Sequence, residues 1–187
     1  RTTIPHAFLF DKQNRLVWIG NPLDNLESRV QQVISGQLSG EKAMNIREAR
    51  EELQEAFTSQ NISTMMSSLE KLEDLDPTNS QYYQIHYRLL TELGIGDPYE
   101  VNELLDKWYT GSAEDPEGLI ILSMVALDQG GPTVRNPELA LKAAKRAFAL
   151  DTEAKPQAGL NLAETYKAIG RIDLALKTLD DISPLTE

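Results

Sequence analysis

From about residue 41 to the end of the chain, apolar residues recur three and four positions apart between polar ones, the pattern of helices that bury one face. Ala43, Ile46, Ala49, Leu53, Ala56 and Phe57 form the first stripe. Ile62, Met65, Met66, Leu69 and Leu72 form its partner, which Asp76-Pro77 ends because the residue before a proline is driven out of the helical region. Tyr82, Tyr83, His86, Leu89, Leu90 and Leu93 make the next run, and Gly94 and Gly96 break it. Asp97-Pro98-Tyr99-Glu100 then offers an N-cap, a proline at the first helical position and an acid at the third, opening a helix with Val101, Leu104, Leu105 and Trp108. Asp115-Pro116 starts a segment, Leu119 to Leu127, that is apolar nearly all round and is expected to be the most buried. Gly130-Gly131-Pro132 ends it, and Asn136-Pro137 begins a helix with Leu139, Ala140, Ala143, Ala144, Ala147 and Phe148. Pro156 to Pro184 repeats the pattern most cleanly. Leu160, Leu162, Ala163, Tyr166 and Ile169 share a face, Gly170 stops the helix, and Leu174, Ala175, Leu176, Leu179 and Ile182 form a second apolar run. Eight helices in four hairpins are expected.

The first 36 residues follow another rhythm. Ala7 to Phe10 and Leu16 to Ile19 read as two short strands, joined by the polar turn Asp11-Lys12-Gln13-Asn14-Arg15. Gly20, Asn21 and Pro22 end the second strand, and Leu23, Leu26, Val30, Val33 and Ile34 follow at helical spacing up to Gly36. Residues 37–40 read as a polar linker whose Ser39 can cap the helix beginning near Glu41. One hairpin and one helix are too little to be stable alone, so this unit must pack on something else.

Two resemblances follow. In the last hairpin the order Asn161, Leu162, Ala163, Tyr166, Gly170, Ala175, Leu179 resembles the tetratricopeptide repeat, whose small residues let two helices approach closely. Leu179 stands where an aromatic is usual, and Pro184 comes a few residues early. Equivalent second-helix positions fall near Met65, Val101, Ala140 and Ala175, in steps of 36, 39 and 35 residues, against a repeat period of about 34. The insertion at 131–137 accounts for the longest step. Thr3 to Lys12, with its Ile4-Pro5 step, and Asn14 to Pro22 resemble the C-terminal third of a thioredoxin-fold domain of the redoxin (TlpA-like) family. That resemblance implies a truncated domain, with the redox Cys-x-x-Cys upstream of Arg1 in a longer bacterial protein of the cell envelope, periplasm or cytoplasm. It also implies that Ile4 and a cis Pro5 face substrate; an ordinary trans step is the alternative.

The expected fold is therefore mainly α: a short β-hairpin plus helix as a thioredoxin-fold remnant (1–36), a linker (37–40), and an α-α superhelix of about four tetratricopeptide-like hairpins (41–187). No apolar run among the 187 residues approaches the roughly 20 needed to span a bilayer. A net charge of −11 argues against nucleic acid, whose phosphates need clustered Lys and Arg. The absence of cysteine removes disulfides, thiol nucleophiles and zinc-thiolate sites from this chain, so any redox chemistry must lie outside it.

No catalytic constellation, metal site or cofactor is readable. His6 and His86 stand apart from other ligands, with His86 expected half-buried among Tyr82, Tyr83 and Leu90. Glu70, Glu73, Asp74 and Asp76 lack the glycine and ligand alternation of a calcium loop and read as a solvated helix end. Asn61-Ile62-Ser63 fits a glycosylation sequon, a match that is accidental if the protein is bacterial, as the redoxin resemblance implies. Stacked hairpins leave a concave surface suited to an extended peptide, where Tyr87, Arg88, Lys142, Asn161 and Lys167 are expected to project unless they are simply solubilising. The leading reading is the C-terminal part of a thiol-disulfide oxidoreductase whose repeats dock a protein or peptide partner. The alternative is a non-catalytic repeat scaffold. If the rest of a thioredoxin-like sheet is missing, a strand edge and the apolar side chains of Phe8, Phe10, Leu16 and Trp18 are left bare, and they are expected to be covered either by the helix Leu23–Ile34 with the first repeat helices or by a second copy of the same edge.

Overall fold

The computed structural model describes residues 6–22, 26–127, 135–150 and 155–182. A two-stranded antiparallel sheet, β1 (Ala7–Phe10) and β2 (Leu16–Gly20), is followed by α1 (Leu26–Ile34), α2 (Gly40–Ser59), α3 (Ile62–Leu75), α4 (Ser80–Glu92), α5 (Pro98–Gly111), α6 (Pro116–Leu127), α7 (Pro137–Leu150), α8 (Lys155–Ala168) and α9 (Ile172–Ile182). The chain is thus mainly helical, a strand hairpin and then a series of helical hairpins, as its periodicity predicts. It divides into two compact units, the first ending at Asp76 and the second beginning at Pro77.

In the first unit the hairpin is organised by one carboxylate. Asp11 Oδ1 accepts the backbone N–H groups of Gln13 and Arg15 (both 2.9 Å), while Oδ2 accepts Arg15 Nε (2.8 Å) and the N–H of Gly40 (3.0 Å). Asn14, at φ 60°, supplies the left-handed residue the turn requires. The same side chain therefore closes the turn and ties it to the start of α2, at the four amides a helix leaves unpaired. Ser39 Oγ accepts from the Lys42 amide at 3.2 Å and caps α2 as its position implies. Register pairs Phe8 with Ile19 and Leu9 with Trp18, then slips so that Phe10 faces Leu16. Val17, at the slip, is buried, and β2 packs against α2.

Caps set the remaining boundaries. Asn61, Asn79, Asp97 and Asn136 each accept a hydrogen bond from an amide two or three residues on, at 2.9 to 3.2 Å. Gln60, at φ 54°, ends α2 in a left-handed conformation, a stop that neither glycine nor proline announces. α2 pairs with α3, α4 with α5, α6 with α7 and α8 with α9, which makes four hairpins among the described residues. α6 also meets α5 and α8, as a helix apolar nearly all round must.

Repetition within the second unit is visible in long-range bonds that recur at one offset. Asn136 Nδ2 donates to Asn102 Oδ1 (2.9 Å, 34 residues apart), Arg146 Nε to the Ala113 carbonyl (2.9 Å, 33 apart) and Arg135 Nη2 to the Ala168 carbonyl (33 apart). Small residues permit the approach: Ala140, Ala143, Ala144 and Ala147 of α7 and Ala158 of α8 are fully buried. A Cβ on Gly159 would lie 2.5 Å from Ile182 Cγ2 and 3.3 Å from Phe148 Cε2, so glycine there lets α7, α8 and α9 converge. A Cβ on Gly111 would collide with the Pro77 carbonyl oxygen. Beside it Tyr83 and Trp108 stack with ring centroids 6.0 Å apart and planes 9° from parallel, joining α4 to α5.

Several apolar residues expected in the stripes are instead exposed. Phe57, Ile62, Leu93 and Leu160 lie at the margins or ends of their buried faces, and Leu176 and Leu179 face away from α8, with which α9 makes its main described contacts. A stripe read from spacing alone is wider than the surface one neighbour can cover.

Ala140→Leu and Ala175→Leu should each destabilise the protein by about 1–3 kcal/mol, since the added methylenes have no room between helices. Ala154, the exposed-loop control suggested by the sequence, lies outside the described residues; Ala149, exposed on α7, takes its place and should tolerate Leu within about 0.5 kcal/mol. Equal denaturation midpoints for the three variants would show the helical register to be wrong.

A second expectation concerns Asp11. Burial by itself would raise its carboxyl, but the hydrogen bonds from Arg15, Gly40 and Gln13 together outweigh that and hold it below its ordinary 3.8. A carboxylate with a depressed folded-state pKa contributes stability that is complete above 3.8 and is lost as pH falls through the folded value. Carbon-detected NMR titration should place the Asp11 midpoint below 3.8, with the Gly40 amide shift following the same curve.

Candidate functional site

The residues that the sequence offers for a groove are distributed among different neighbours. Tyr87, on α4, is buried, and its carbonyl accepts from Thr91 Oγ1 at 2.8 Å. Arg88 points outward and pairs with Glu92 (Nε–Oε1 2.9 Å), whose carboxyl that hydrogen bond holds below the usual range. Both side chains are more than half exposed, so the pair contributes little. Lys142 places its ammonium 4.2 Å from the ring centroid of Tyr109, joining α7 to α5 by a cation–π contact. Asn161 is buried in α8, where its Oδ1 accepts from Ser123 Oγ of α6 at 2.8 Å. Lys167 is exposed in the last turn of α8. Lys142 and Asn161 thus bridge helices, whereas Arg88 and Lys167 are open surface. Ile4 and Pro5 lie outside the described residues.

The acidic run at the end of α3 does not form the solvated helix end that its composition predicts. Glu70 and Asp74 are exposed, but Glu73 is 1% exposed and Asp76 is buried. Arg29 of α1 donates to Asp76 Oδ1 at 3.3 Å, and Arg50 of α2 reaches Oδ2 at 4.0 Å. Asp76 is the C-cap of α3, so one carboxylate at the end of that helix gathers guanidinium groups from two others. Burying such a charge is tolerable only because it is paired. His86 is buried rather than half-buried, and His6 is exposed. Among the described residues no three metal-ligating side chains come together.

This cluster floors a pocket of about 210 Å³ inside the first unit. Val17, Trp18 and Ile19 of β2 form one wall, and Ala43, Ile46, Arg47 and Arg50 of α2 form another, with Arg29 and Asp76 beside them. Sequence reading missed it. The one available signal was Arg47 and Arg50 three residues apart on one helix of an acidic chain; Arg29 and Asp76, 47 residues apart, carry no local mark of their meeting.

No protein-family profile and no curated protein matches the chain. Among solved structures it is similar to one titled "Crystal structure of MamA protein", with a TM-score of 0.48 and 21% identity over 74% of this chain and 72% of that one. Another, "Crystal structure of MamA", gives 0.44 and 23% over 69% and 71%. No helix among the described residues is long and apolar enough to cross a membrane.

Asp76→Ala should cost about 1–3 kcal/mol, because it takes the carboxylate away from the largely buried guanidinium of Arg29 and leaves it the neutral Gln32 Oε1. Arg47→Ala, which removes only an exposed pair with Glu51, should stay within about 0.5 kcal/mol. Chemical denaturation of the two variants compares them directly.

Proposed function

We propose that the chain is a non-catalytic interaction scaffold whose tetratricopeptide-like hairpins present a surface to a protein or peptide partner. The observation that carries this is the recurrence of long-range hydrogen bonds at a 33- to 34-residue offset, each joining a residue of α5, α7 or α8 to a residue just outside a helix, since such arrays expose an extended face without needing chemistry of their own. Arg88 and Lys167, exposed on α4 and α8, and Lys142 with Tyr109 are the groups we assign to that face. The strand–turn–strand–helix order of β1, β2 and α1 favours a second, finer reading, in which residues 1–36 are the end of a redoxin-like domain, joined by 37–40 to the repeats of a thiol-disulfide oxidoreductase. In that reading this chain, having no cysteine, contributes docking and not exchange.

Selection of a random peptide library on the intact chain should yield binders that the triple variant Arg88→Glu, Lys142→Glu, Lys167→Glu weakens about tenfold or more while its melting temperature holds. Lys177→Glu should leave them unchanged. Binders indifferent to the triple variant would remove these residues from the face, and failure to select any peptide would count against the scaffold reading itself.

A further inference from the structure

Sheet register decides the character of one face of the first unit. Phe8 pairs with Ile19 and Phe10 with Leu16, and directly opposed residues share a face. Leu16 and Ile19 are three apart, an odd spacing that in a regular strand sends two side chains to opposite faces. The slip beside Phe10 leaves Val17 without a partner and turns Leu16 back to the side of Ile19. The bulge thereby completes a two-by-two block of large apolar side chains, with Phe8, Phe10, Leu16 and Ile19 exposed by 59%, 50%, 43% and 51%.

The other face is the covered one. There Val17 is buried, the opposed pair Leu9 and Trp18 is half-buried, and β2 packs on α2. Of the two coverings that the sequence suggests for the hairpin, the chain's own helices therefore account for Trp18 but leave the four-residue block bare.

Charge bears on what can cover that block. Asp11 is the one acid among residues 6–22, and its carboxylate is bound by Arg15 at 2.8 Å, in a chain whose acids outnumber its bases 29 to 18. Two copies meeting through other acidic surfaces set like charges against each other, whereas this face brings no unpaired carboxylate of the hairpin into the contact. Its flat block is also matched by an identical block turned over it, as an isologous contact requires. Setting the turn of one hairpin over the open end of the other keeps the two Lys12 side chains apart. Four side chains about half exposed offer roughly 400 Å² per copy, about half of what each partner in a stable complex contributes, so the contact is weak and concentration-dependent.

We propose that the Phe8–Phe10–Leu16–Ile19 face is the docking site for a second copy of this chain, which pairs through it as a transient two-fold dimer. The site lies wholly within the first unit and is independent of the surface assigned to the repeats.

The test is analytical ultracentrifugation of the intact chain from about 5 µM to about 0.5 mM, where the weight-average mass should climb from monomer towards dimer. Phe8→Thr/Ile19→Thr, which keeps β-favouring residues at an exposed cross-strand pair, should weaken pairing about tenfold or more while the melting temperature holds. Phe10→Thr alone serves if the double variant is unstable. Leu176→Thr, which removes an equally exposed apolar side chain from α9, should leave pairing unchanged. Added salt should leave pairing unchanged or tighten it, since screening eases the repulsion between two acidic chains. A chain monomeric throughout overturns the proposal, as does a dimer that the sheet variants leave intact, that Leu176→Thr abolishes or that salt dissociates. Monomers that instead sediment with phosphatidylcholine vesicles overturn it too, and give the face to a lipid surface.

Discussion

The second unit depends on how closely its helices can approach. Ala140, Ala143, Ala144 and Ala147 put a continuous small-residue face on α7, and Gly159 removes the remaining obstacle where α8 meets Phe148 and Ile182. A helix packed at short range buries its neighbour's larger side chains fully, which is why Leu119 and Leu122 of α6 can be completely covered. Larger residues in that face would force the axes apart and open gaps around every leucine they now contact. The polar bonds at the 33- to 34-residue offset then fix rotation and register, which dispersion alone leaves loose.

The first unit rests on a different device. Its sheet is too small to bury its own side chains, and two carboxylates do much of the joining: Asp11 binds the hairpin to the start of α2, and Asp76 binds α1 and α2 at the end of α3. Asp11 acts at the N-terminus of α2, whose unpaired amides favour an anion, whereas Asp76 stands at the C-terminus of α3, where the helix dipole disfavours one and the guanidinium groups of Arg29 and Arg50 offset it. The arrangement leaves Phe8, Phe10, Leu16 and Ile19 exposed on the sheet.

The sequence by itself determined the secondary structure and its pairing into hairpins. Helix period, Ser39, Asp97 and Asn136 at helix starts, and Asp-Pro and Asn-Pro steps act within four residues of themselves, so their consequences can be read without knowing where the chain goes. It also placed the alanine stripe of α7 and both strands to within a residue. The stop at Gln60 escaped because a left-handed glutamine is set by the bonds its amide makes to Ala56 and Phe57, with no compositional mark. The site was harder still. Asn161 looks like groove lining until Ser123, 38 residues away, is found against it, and Asp76 looks like a solvated end until Arg29 and Arg50 arrive from two other helices. Only the tertiary structure decided these, because burial and ion pairing are properties of neighbours in space, and a side chain's local sequence does not contain them.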